Sequence, residues 1–416
     1  MKQFTEQQLE MLERFKKLKI GALFSQMGTG KTRVAVELVN YNEPDFLLYI
    51  CPFSCKDNIE KELKKWNIQC SYEIVGYETL SSSDKKYLEL IERLKRNKVN
   101  FIIADESIFI KNGMTKRFRR SHELRQLCDY ALILNGTPIV NNERDIYNQM
   151  EFLSHKVFNM GYYEFLHTFF KQKGFRSHGK EHYVYEFYEP NRAAFTKIIN
   201  PYVYMSDLIF EHAVYDVNDF VDIDDSLYEQ TKYDILSKYN DYSIDSIIAM
   251  FTKLATIAAE SKSKNDVVIN YIKGKKCVCY CSRVNEVKYI KKHCDCFVIN
   301  GSTQEAERKR IIDDWEKCTN KPLVLSFGVG AYSLNLQSAN EIVYSSLTFN
   351  YGQFEQSKFR IKRLGQEDDI KYTYILADVG ITKLMIKNLS RKGNLADIIK
   401  AEINKNDMKK WLKDNL

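Results

Sequence analysis

The sequence predicts an α/β fold made of two parallel-sheet lobes and a small helical insert. Short apolar runs alternate with helical patterns to about residue 150, the alternation stops from about 155 to 215, and it resumes at Lys276. Such runs, separated by helices, are typical of parallel sheets covered on both faces. We therefore assign residues 1–154 to a first lobe, 155–225 to a helical insert and connector, and 226–416 to a second lobe.

Polar motifs follow the apolar runs of the first lobe. The predicted strands cover residues 22–27, 46–51, 101–104 and 131–134, and a helical pattern covers 58–66. In parallel sheets, ligands bind beyond the carboxyl ends of the strands, which is where these motifs fall. The first lobe is therefore expected to carry a binding site at that edge.

The predicted insert is aromatic and helical, and it contains a basic segment. Residues 171–180 hold Lys171, Lys173, Arg176 and Lys180, two glycines and no acidic residue, and we interpret them as a loop. No hairpin of the kind that acts as a strand-separating wedge is obvious in the sequence. The stretch 216–225 holds five aspartates and is interpreted as a connector.

Cysteines are a notable feature of the second lobe. The strands of this lobe are predicted at 277–281, 297–299, 323–326, 342–344 and 372–376, and a helix is predicted over 305–315. Cys277, Cys279 and Cys281 alternate along the first strand, and Cys294 and Cys296 follow about one helix later. A zinc site usually has two-residue spacers between cysteines, and these are lacking. We interpret the thiols as small buried side chains and expect no metal on them.

The composition is that of a globular protein. The 416 residues are 44% hydrophobic, and the formal net charge of +7 suits a partner with phosphate groups without requiring one. No apolar run approaches the roughly 18 residues of a membrane helix, and residues 1–6 lack the apolar stretch of a secretory signal. We expect a cytoplasmic monomer without membrane association, in the host cytoplasm if the source is a virus.

The strongest single motif is the glycine loop Ser25-Gln26-Met27-Gly28-Thr29-Gly30-Lys31-Thr32. Its glycines allow a tight turn whose N–H groups point at phosphate oxygens, at the start of a helix whose dipole favours anions. Lys31 is placed to reach the β and γ phosphates, and the Thr32 hydroxyl to ligate Mg²⁺. The full Walker pattern has glycine where Ser25 stands, so this loop is a variant that predicts nucleotide binding.

Two further motifs supply the groups that phosphate chemistry needs. Asp105 and Glu106 end an apolar run, where one carboxylate can hold Mg²⁺ through water while the other activates the attacking water. Arg360 and Arg363 are predicted to share one face of a helix, and guanidinium groups suit the charge that spreads over the γ-phosphoryl oxygens. Taken alone, either motif would be better explained as an exposed charged surface.

In order and spacing, these motifs resemble those of the superfamily-two helicases, and within them the Snf-type, chromatin-remodeller-like ATPases in a compact stand-alone form. The resemblance covers nearly the whole chain. It rests on residues 21–32, 51–63, 77–80, 105–112, 136–142, 300–308, 330–336 and 356–366. It implies that both lobes are RecA-like and that ATP binds in a cleft between them.

The resemblance also implies which residues serve ATP and Mg²⁺. Gln8 would read adenine, Asp105 would orient the metal with Thr32, and Glu106 would activate water. The implied catalytic residues are Lys31, Asp105, Glu106, Arg360 and Arg363. The implied ATP-binding residues are Gln8, Met27, Gly28, Thr29, Gly30, Lys31, Thr32, Gly330 and Asn335.

DNA is the partner that the resemblance implies, with duplex favoured because such proteins generally move along duplex without fully separating it. A sequence-independent grip on backbone phosphates permits stepping. The implied contacts are Ser54, Tyr77, Thr79, Gly136, Thr137, Ser282, Arg283, Ser302 and Ser326.

Three departures from the family pattern bear on coupling rather than hydrolysis. Ile108 stands where the family usually has a histidine thought to link hydrolysis to nucleic-acid contact. Met205-Ser206-Asp207 falls where paired arginines are usual, and Tyr332-Ser333 replaces a Glu-Gly pair. No catalytic group is lost.

We therefore expect an ATP-dependent translocase on duplex DNA that moves along it or remodels forks, junctions or bound proteins. A strand-separating or branch-migrating DNA or RNA helicase is the alternative. A nucleotide-gated binding protein that scarcely hydrolyses ATP is the third hypothesis. The intact Lys31, Glu106, Arg360 and Arg363 disfavour it.

Overall fold

Two compact units, Met1–Ile209 and Phe210–Leu416, make up the chain. The computed structural model describes residues 3–136, 138–139, 143–177, 180–208, 210, 212–238, 244–330, 334–363, 366–391 and 408–416. Both units are built around a sheet in which every strand pair is parallel. The prediction of two RecA-like parallel-sheet lobes is confirmed.

The first unit has a six-stranded sheet and a separate two-stranded hairpin. The strands are β1 Ile20–Leu23, β2 Phe46–Cys51, β3 Ser71–Gly76, β4 Asn100–Asp105, β5 Tyr130–Leu134, β6 Phe170–Ser177, β7 Lys180–Phe187 and β8 Val203–Tyr204. The sheet order is β3-β2-β4-β5-β1-β8, and β6 pairs with β7. Leu48 and Ile50 of β2 pack into one core and Leu47 and Tyr49 into another, so helices cover both faces.

Nine helices of the first unit lie in its described part. They are α1 Glu6–Phe15, α2 Lys31–Asn42, α3 Lys56–Lys65, α4 Tyr77–Ser82, α5 Asp84–Arg96, α6 Lys116–Arg125, α7 Arg144–Leu153, α8 Tyr162–Phe169 and α9 Arg192–Ile199. Short 3₁₀ helices follow β2 at Phe53–Cys55 and β4 at Ser107–Ile110. These connections place the polar motifs at the carboxyl edge of the sheet.

The second unit repeats the architecture. Its strands are β9 Val214–Val221, β10 Val278–Cys281, β11 Phe297–Ile299, β12 Leu323–Ser326, β13 Glu341–Tyr344 and β14 Ile370–Ala377, in the order β11-β12-β10-β13-β14-β9. The helices are α10 Ser226–Lys238, α11 Ile244–Glu260, α12 Lys262–Ile272, α13 Val284–His293, α14 Glu305–Lys317, α15 Phe327–Gly330, α16 Tyr351–Lys358, α17 Gly380–Ser390 and α18 Met408–Asn415.

The predicted insert differs from the structure in two ways. Residues 170–177 and 180–187 pair as an antiparallel hairpin, so the basic segment predicted as a loop is part of a β-ribbon, an element that was not evident in the sequence. The aspartate-rich connector contains β9, an exposed edge strand paired with β14 over its whole length. Helices α8 and α9 do flank the hairpin, as the helical character of the insert predicted.

The insert is also not a separate unit. Strand β8 adds to the first sheet beside β1, and β9 adds to the second sheet beside β14. The assignment of 155–225 to one segment therefore differs from the structure, which divides these residues at 209 and 210.

The alternating cysteines lie on one buried face of β10. Cys277, Cys279 and Cys281 pack with Val268 and Ile272 of α12, and burial raises the pKa of the Cys277 and Cys281 thiols. In the described ranges no cluster of three or more histidine, cysteine or carboxylate side chains has a geometry that could hold a metal. Nor does any helix there have the length and apolar character needed to cross a membrane.

Candidate active site

The phosphate loop connects β1 to α2 and needs glycine at two positions. Gly28 and Gly30 have φ angles of 84° and 82°, in the left-handed region that favours glycine. A Cβ atom on Gly30 would lie 2.2 Å from Nε2 of Gln8, so a side chain there would displace the Gln8 amide. The loop therefore has the backbone that phosphate binding demands.

Gln8 is a buried residue of α1 that contacts the loop directly. Its Nε2 donates to the Thr29 carbonyl oxygen at 2.9 Å. Gln8 also completes a capping box, in which its backbone N–H donates to the Thr5 hydroxyl and its Oε1 accepts from the Thr5 N–H. The start of α1 is thereby held against the phosphate loop, where an adenine-reading amide would have to be.

Lys31 opens α2 and folds over the loop. Its ammonium donates to the carbonyl oxygens of Ser25 at 2.6 Å and of Gln26 at 3.0 Å. A Cβ atom added to Gly136, just after β5, would lie 3.0 Å from the Met27 side chain and 3.9 Å from Lys31 Nζ. The end of β5 therefore lies against the phosphate loop.

Asp105 ends β4 and is a half-buried carboxyl of the site. The Tyr49 hydroxyl donates to its Oδ2 at 3.0 Å, and the Glu106 N–H donates to its Oδ1 at 2.9 Å. Burial raises the pKa of Asp105, while the Lys31 ammonium, the Tyr49 hydroxyl and the Glu106 N–H oppose the rise by favouring the carboxylate. Thr32 also hydrogen-bonds to the Tyr49 hydroxyl.

Glu106 adopts an uncommon backbone conformation at the turn that follows β4. Its φ of 50° and ψ of 54° are left-handed, which is uncommon for a residue other than glycine. Such backbone strain is concentrated at functional sites, where the surrounding structure holds it in place. Glu106 is thus presented next to Asp105 by a turn that a relaxed chain would avoid.

A buried polar network connects this turn to the end of β5. The Ser107 hydroxyl donates to Oε1 of Gln149 at 2.6 Å, and Nε2 of Gln149 donates to the Pro138 carbonyl at 2.8 Å. Asn135 donates to the same two side chains at 3.4 Å. Ile108, which stands where the family pattern has histidine, lies half-buried in the adjacent 3₁₀ helix. The same 3₁₀ helix is connected to Pro138 through the hydrogen bonds of Ser107 and Gln149.

The first-unit residues fit ATP and Mg²⁺. A left-handed glycine loop, a lysine at the helix start, and a hydroxyl and a carboxyl that both hydrogen-bond to Tyr49 are the donor set that a phosphate-bound magnesium ion uses. In the first unit the structure therefore brings together Gln8, residues 27–32, Asp105 and Glu106, which lie far apart in the sequence.

The predicted nucleic-acid contacts of the first unit are less uniform. Ser54 is exposed in the 3₁₀ helix after β2, and Thr79 is half-exposed in α4. Tyr77 is fully buried; its hydroxyl donates to the Asp105 carbonyl at 2.9 Å and its ring stacks on Phe109. Its side chain therefore supports the active site and cannot contact DNA. Thr137 and the predicted coupling residues Asn141 and Asn142 lie outside the described residues.

In the second unit, three predicted contacts lie at the carboxyl ends of adjacent strands. Ser326 ends β12, Ser282 directly follows β10, and Ser302 lies just after β11. The order β11-β12-β10 makes these strands neighbours, so the three serines share one edge. Ser302 is exposed in a turn in which its N–H and hydroxyl both donate to Oδ1 of Asn300.

A buried ion pair fixes the Ser282-Arg283 turn. Lys264 of α12 donates to Oε1 of Glu286 of α13 at 2.9 Å, and both side chains are fully buried. Oε2 of Glu286 accepts from the N–H groups of Ser282 and Arg283 and from the Ser346 hydroxyl. This network was not predicted from the sequence; a charged residue on the apolar side of each helix is the signal that would have revealed it.

Arg360 and Arg363 do not lie on a helix, contrary to prediction, because α16 ends at Lys358. They occupy the turn that follows, where Nη1 of Arg360 and Nη2 of Arg363 donate to the Leu334 carbonyl at 3.1 and 3.3 Å. Arg360 is buried. Both guanidinium groups thus share one carbonyl acceptor, and the residue after Leu334 in the sequence is the exposed Asn335. Gly330 is the last residue of α15.

The segment 205–207, where the family pattern has paired arginines, contacts the phosphate loop. The Gln26 N–H donates to the Ser206 carbonyl at 3.0 Å, and the Gln26 side chain donates to Oδ1 of Asp207 at 2.5 Å. Nothing in the local sequence marks this contact, because it joins residues 181 positions apart. Tyr49 was also missed, although a hydroxyl within a buried strand needs a partner.

Comparison with known proteins agrees with this geometry. Residues 68–204 match the SNF2-related domain and residues 263–365 match the helicase conserved C-terminal domain. A Caenorhabditis elegans homolog of the SWI/SNF-related matrix-associated actin-dependent regulator of chromatin subfamily A-like protein 1 is 22% identical over 85% of this chain and 56% of its own length. The human DNA annealing helicase and endonuclease ZRANB3 is 20% identical over 93% of this chain and 40% of its own length.

The chain thus spans about half the length of these relatives or less. A solved Sulfolobus solfataricus SWI2/SNF2 ATPase core in complex with dsDNA is 22% identical, with a TM-score of 0.42, over 98% of this chain and 94% of that one. Both family domains match in the expected order, one in each unit. The chain belongs to the Snf-type, chromatin-remodeller-like ATPases of helicase superfamily two.

Proposed function

We propose that the chain hydrolyses ATP to translocate along duplex DNA, and so acts on forks, junctions or bound proteins. The main support for the proposal is the set of charged residues at the carboxyl edge of the first unit's sheet. There the left-handed glycines present Lys31 at the carboxyl edge of the sheet, where β4 ends at the half-buried Asp105 and Glu106 follows in a strained turn. Family membership and similarity to the human DNA annealing helicase and endonuclease ZRANB3 support DNA as the track.

The proposed hydrolysis uses the chain's own groups in named roles. The Lys31 ammonium exchanges the loop carbonyls for phosphate oxygens, and the Gln8 amide turns to the adenine edge. Asp105 and Thr32 hold the water ligands and the metal, and Glu106 accepts the proton of the attacking water. Mg²⁺, when bound, neutralises the charge of the β and γ phosphates.

The proposed stepping uses both units. Arg360 and Arg363, already paired on the Leu334 carbonyl, supply positive charge to the γ-phosphoryl group when the units close on ATP. Closure shortens the spacing between a grip at Ser54 and one at Ser282, Ser302 and Ser326, and hydrolysis releases it. A backbone grip of this kind is independent of base sequence.

The test is the steady-state ATPase rate without nucleic acid and with blunt duplex, single-stranded DNA or structured RNA, each at two salt concentrations. Stimulation by duplex that weakens with salt is the expected result. Stimulation by single strands or RNA alone contradicts a duplex translocase. A Lys31→Ala preparation measures any contaminating ATPase.

One observation favours the alternative, a strand-separating or branch-migrating helicase. The β6–β7 hairpin is an element that could enter a branch point, and no local pattern predicted it. A fluorescence unwinding assay on a forked duplex distinguishes the two functions. ATP-dependent release of a labelled strand supports the helicase, whereas ATPase stimulation without strand release supports the translocase.

A further inference from the structure

The hairpin β6–β7 is a two-stranded ribbon that joins neither six-stranded sheet. Each strand has eight residues, in register from Phe170 opposite Phe187 to Ser177 opposite Lys180. At about 3.3 Å per residue the ribbon is about 26 Å long. An isolated hairpin is only marginally stable in water, so this one depends on its attachment to the first unit.

The attachment is an aromatic cluster at the root of the hairpin. Phe170 and Phe187 pack edge to face at 5.4 Å, and Phe187 packs on Phe195 of α9 at 5.4 Å. The Arg192 guanidinium lies 4.0 Å from the Phe187 ring centre and pairs with Glu143 at 2.6 Å. The direction in which the ribbon leaves the unit is therefore fixed by the hydrophobic core.

Positive charge begins directly beyond this apolar root. Residues 171–180 hold four of the chain's cations and no acidic residue. Lys171, the first of them, is exposed, with its ammonium 4.1 Å from the centre of the Tyr188 ring. The ribbon thus divides into an apolar anchor and a basic outer part, residues 171–186. In this outer part Glu181 lies opposite Arg176 and Glu186 opposite Lys171, so four cations and two acids leave a net charge of +2.

We propose that the β6–β7 hairpin is a second DNA-binding surface of the first unit, which takes the phosphate backbone of duplex DNA. Duplex is the favoured occupant because the major groove, about 12 Å wide, admits a two-stranded β-ribbon, and because the basic outer part complements phosphate charge. The inference rests on the proposed function, since it adds a contact outside the motor motifs to a protein that works on DNA.

The test compares a triple variant, Lys171→Gln with Lys173→Gln and Arg176→Gln, with the wild type. Duplex binding is measured by fluorescence anisotropy from about 50 to about 200 mM salt without nucleotide. In a plot of the logarithm of the binding constant against the logarithm of the salt concentration, loss of three phosphate contacts lowers the magnitude of the slope by about 2.7. Over this range the variant's affinity therefore falls about 40-fold less than that of the wild type. Glutamine removes the charge but keeps an unbranched polar side chain, so the ribbon should fold.

A matched control removes the same charge elsewhere in the first unit. Lys19, Lys95 and Lys98 are exposed near the amino ends of β1 and β4, opposite the phosphate loop, and their substitution by glutamine should leave the slope unchanged. An equal fall in slope for this control overturns the proposal, because the effect would then be one of net charge alone.

The remaining outcomes separate this inference from the proposed function. If duplex stimulates the wild-type ATPase but the hairpin variant keeps the wild-type salt slope, the hairpin does not bind duplex and only this inference fails. It fails in the same way if the variant loses affinity for single strands alone. If duplex neither binds to nor stimulates the wild type, the proposed function fails and this inference with it.

Discussion

The Nζ atom of Lys264 lies 2.9 Å from Oε1 of Glu286, and neither side chain has exposed surface. Lys264 also donates to the carbonyl and hydroxyl of Ser345, so its charge is fully solvated by the protein. Buried ion pairs seldom add net stability over apolar replacements, but removing one partner leaves an uncompensated charge. This pair therefore fixes the geometry of the turn at Ser282.

Lys264→Ala should lower the free energy of unfolding by about 3–5 kcal/mol, because Glu286 would stay buried without its partner. The unfolding transition of the second unit, followed in urea, measures this loss. Lys262→Ala, at an exposed position of the same helix, is the control and should change stability little. Equal stability of the two variants would contradict the role given to the pair.

Lowering the pH below about 6.5 should destabilise the first unit through His122. Burial lowers the pKa of this imidazole in the folded protein, with Glu151 opposing the shift. At pH values between the pKa of His122 in the folded protein and its pKa in the unfolded chain, the unfolded chain binds more protons. The contribution of His122 to stability is therefore present above this pH range and is lost as the pH drops through it.

Urea unfolding on either side of the unfolded pKa, at about pH 7.5 and about pH 5.5, tests the role of His122. The variant His122→Gln should lose less stability on acidification than the wild type. His167→Gln, at an exposed position on α8, controls for the loss of an imidazole elsewhere in the first unit. An unchanged pH dependence in His122→Gln would show that other groups cause the acid sensitivity.

Gly30→Ala should weaken nucleotide binding at least about tenfold, because a left-handed alanine costs about 1–2 kcal/mol and its Cβ would meet the Gln8 amide. Titration with a fluorescent ADP analogue measures the affinity. Gln8→Ala alone should also weaken binding, because it removes the amide that is proposed to read adenine. Gly161→Ala, whose Cβ would meet nothing within 4 Å, is the control.

Glu106→Gln should retain ATP binding while its kcat falls by about 10²–10⁴, since an amide cannot accept the proton of the attacking water. Single-turnover hydrolysis with equilibrium binding separates the two effects. Glu92→Gln, an exposed acid on α5, should behave like the wild type. Wild-type turnover in Glu106→Gln would mean that another group is the base.

Arg363→Ala should lower kcat by about 10³–10⁵ without altering duplex affinity, because the guanidinium acts on the transition state. ATPase rates and anisotropy with duplex measure the two quantities. Arg391→Ala, at an exposed position after α17, is the matched control. A loss of duplex affinity equal to the loss of turnover would reassign Arg363 to DNA binding.

The parts of the fold that local pattern controls were predicted well. Buried strands such as 46–51 and 323–326 were placed at their observed bounds, because a continuous apolar run between turn signals has few other solutions. The phosphate loop was predicted with its glycines because its chemistry lies within eight consecutive residues. Gln8 was placed by resemblance, and its contact with Thr29 is consistent with that role.

Elements that depend on distant partners escaped prediction. Strand β9 is exposed along nearly its whole length and rich in aspartate, so only its pairing with β14 makes it a strand. The hairpin has basic and polar outer positions, and its apolar root is recognisable only once Phe195 is seen to pack there. The contact of Lys264 with Glu286 depends on the docking of two helices.

The hydrogen bonds between Gln26 and residues 206–208 have a mechanical consequence. Leu208, whose N–H donates to Oε1 of Gln26 at 3.1 Å, is the last described residue before the chain passes to the second unit. Residues 206–208 therefore cannot move away from the phosphate loop without breaking hydrogen bonds to Gln26. The segment is in this sense a tether, attached to the same loop that carries Lys31.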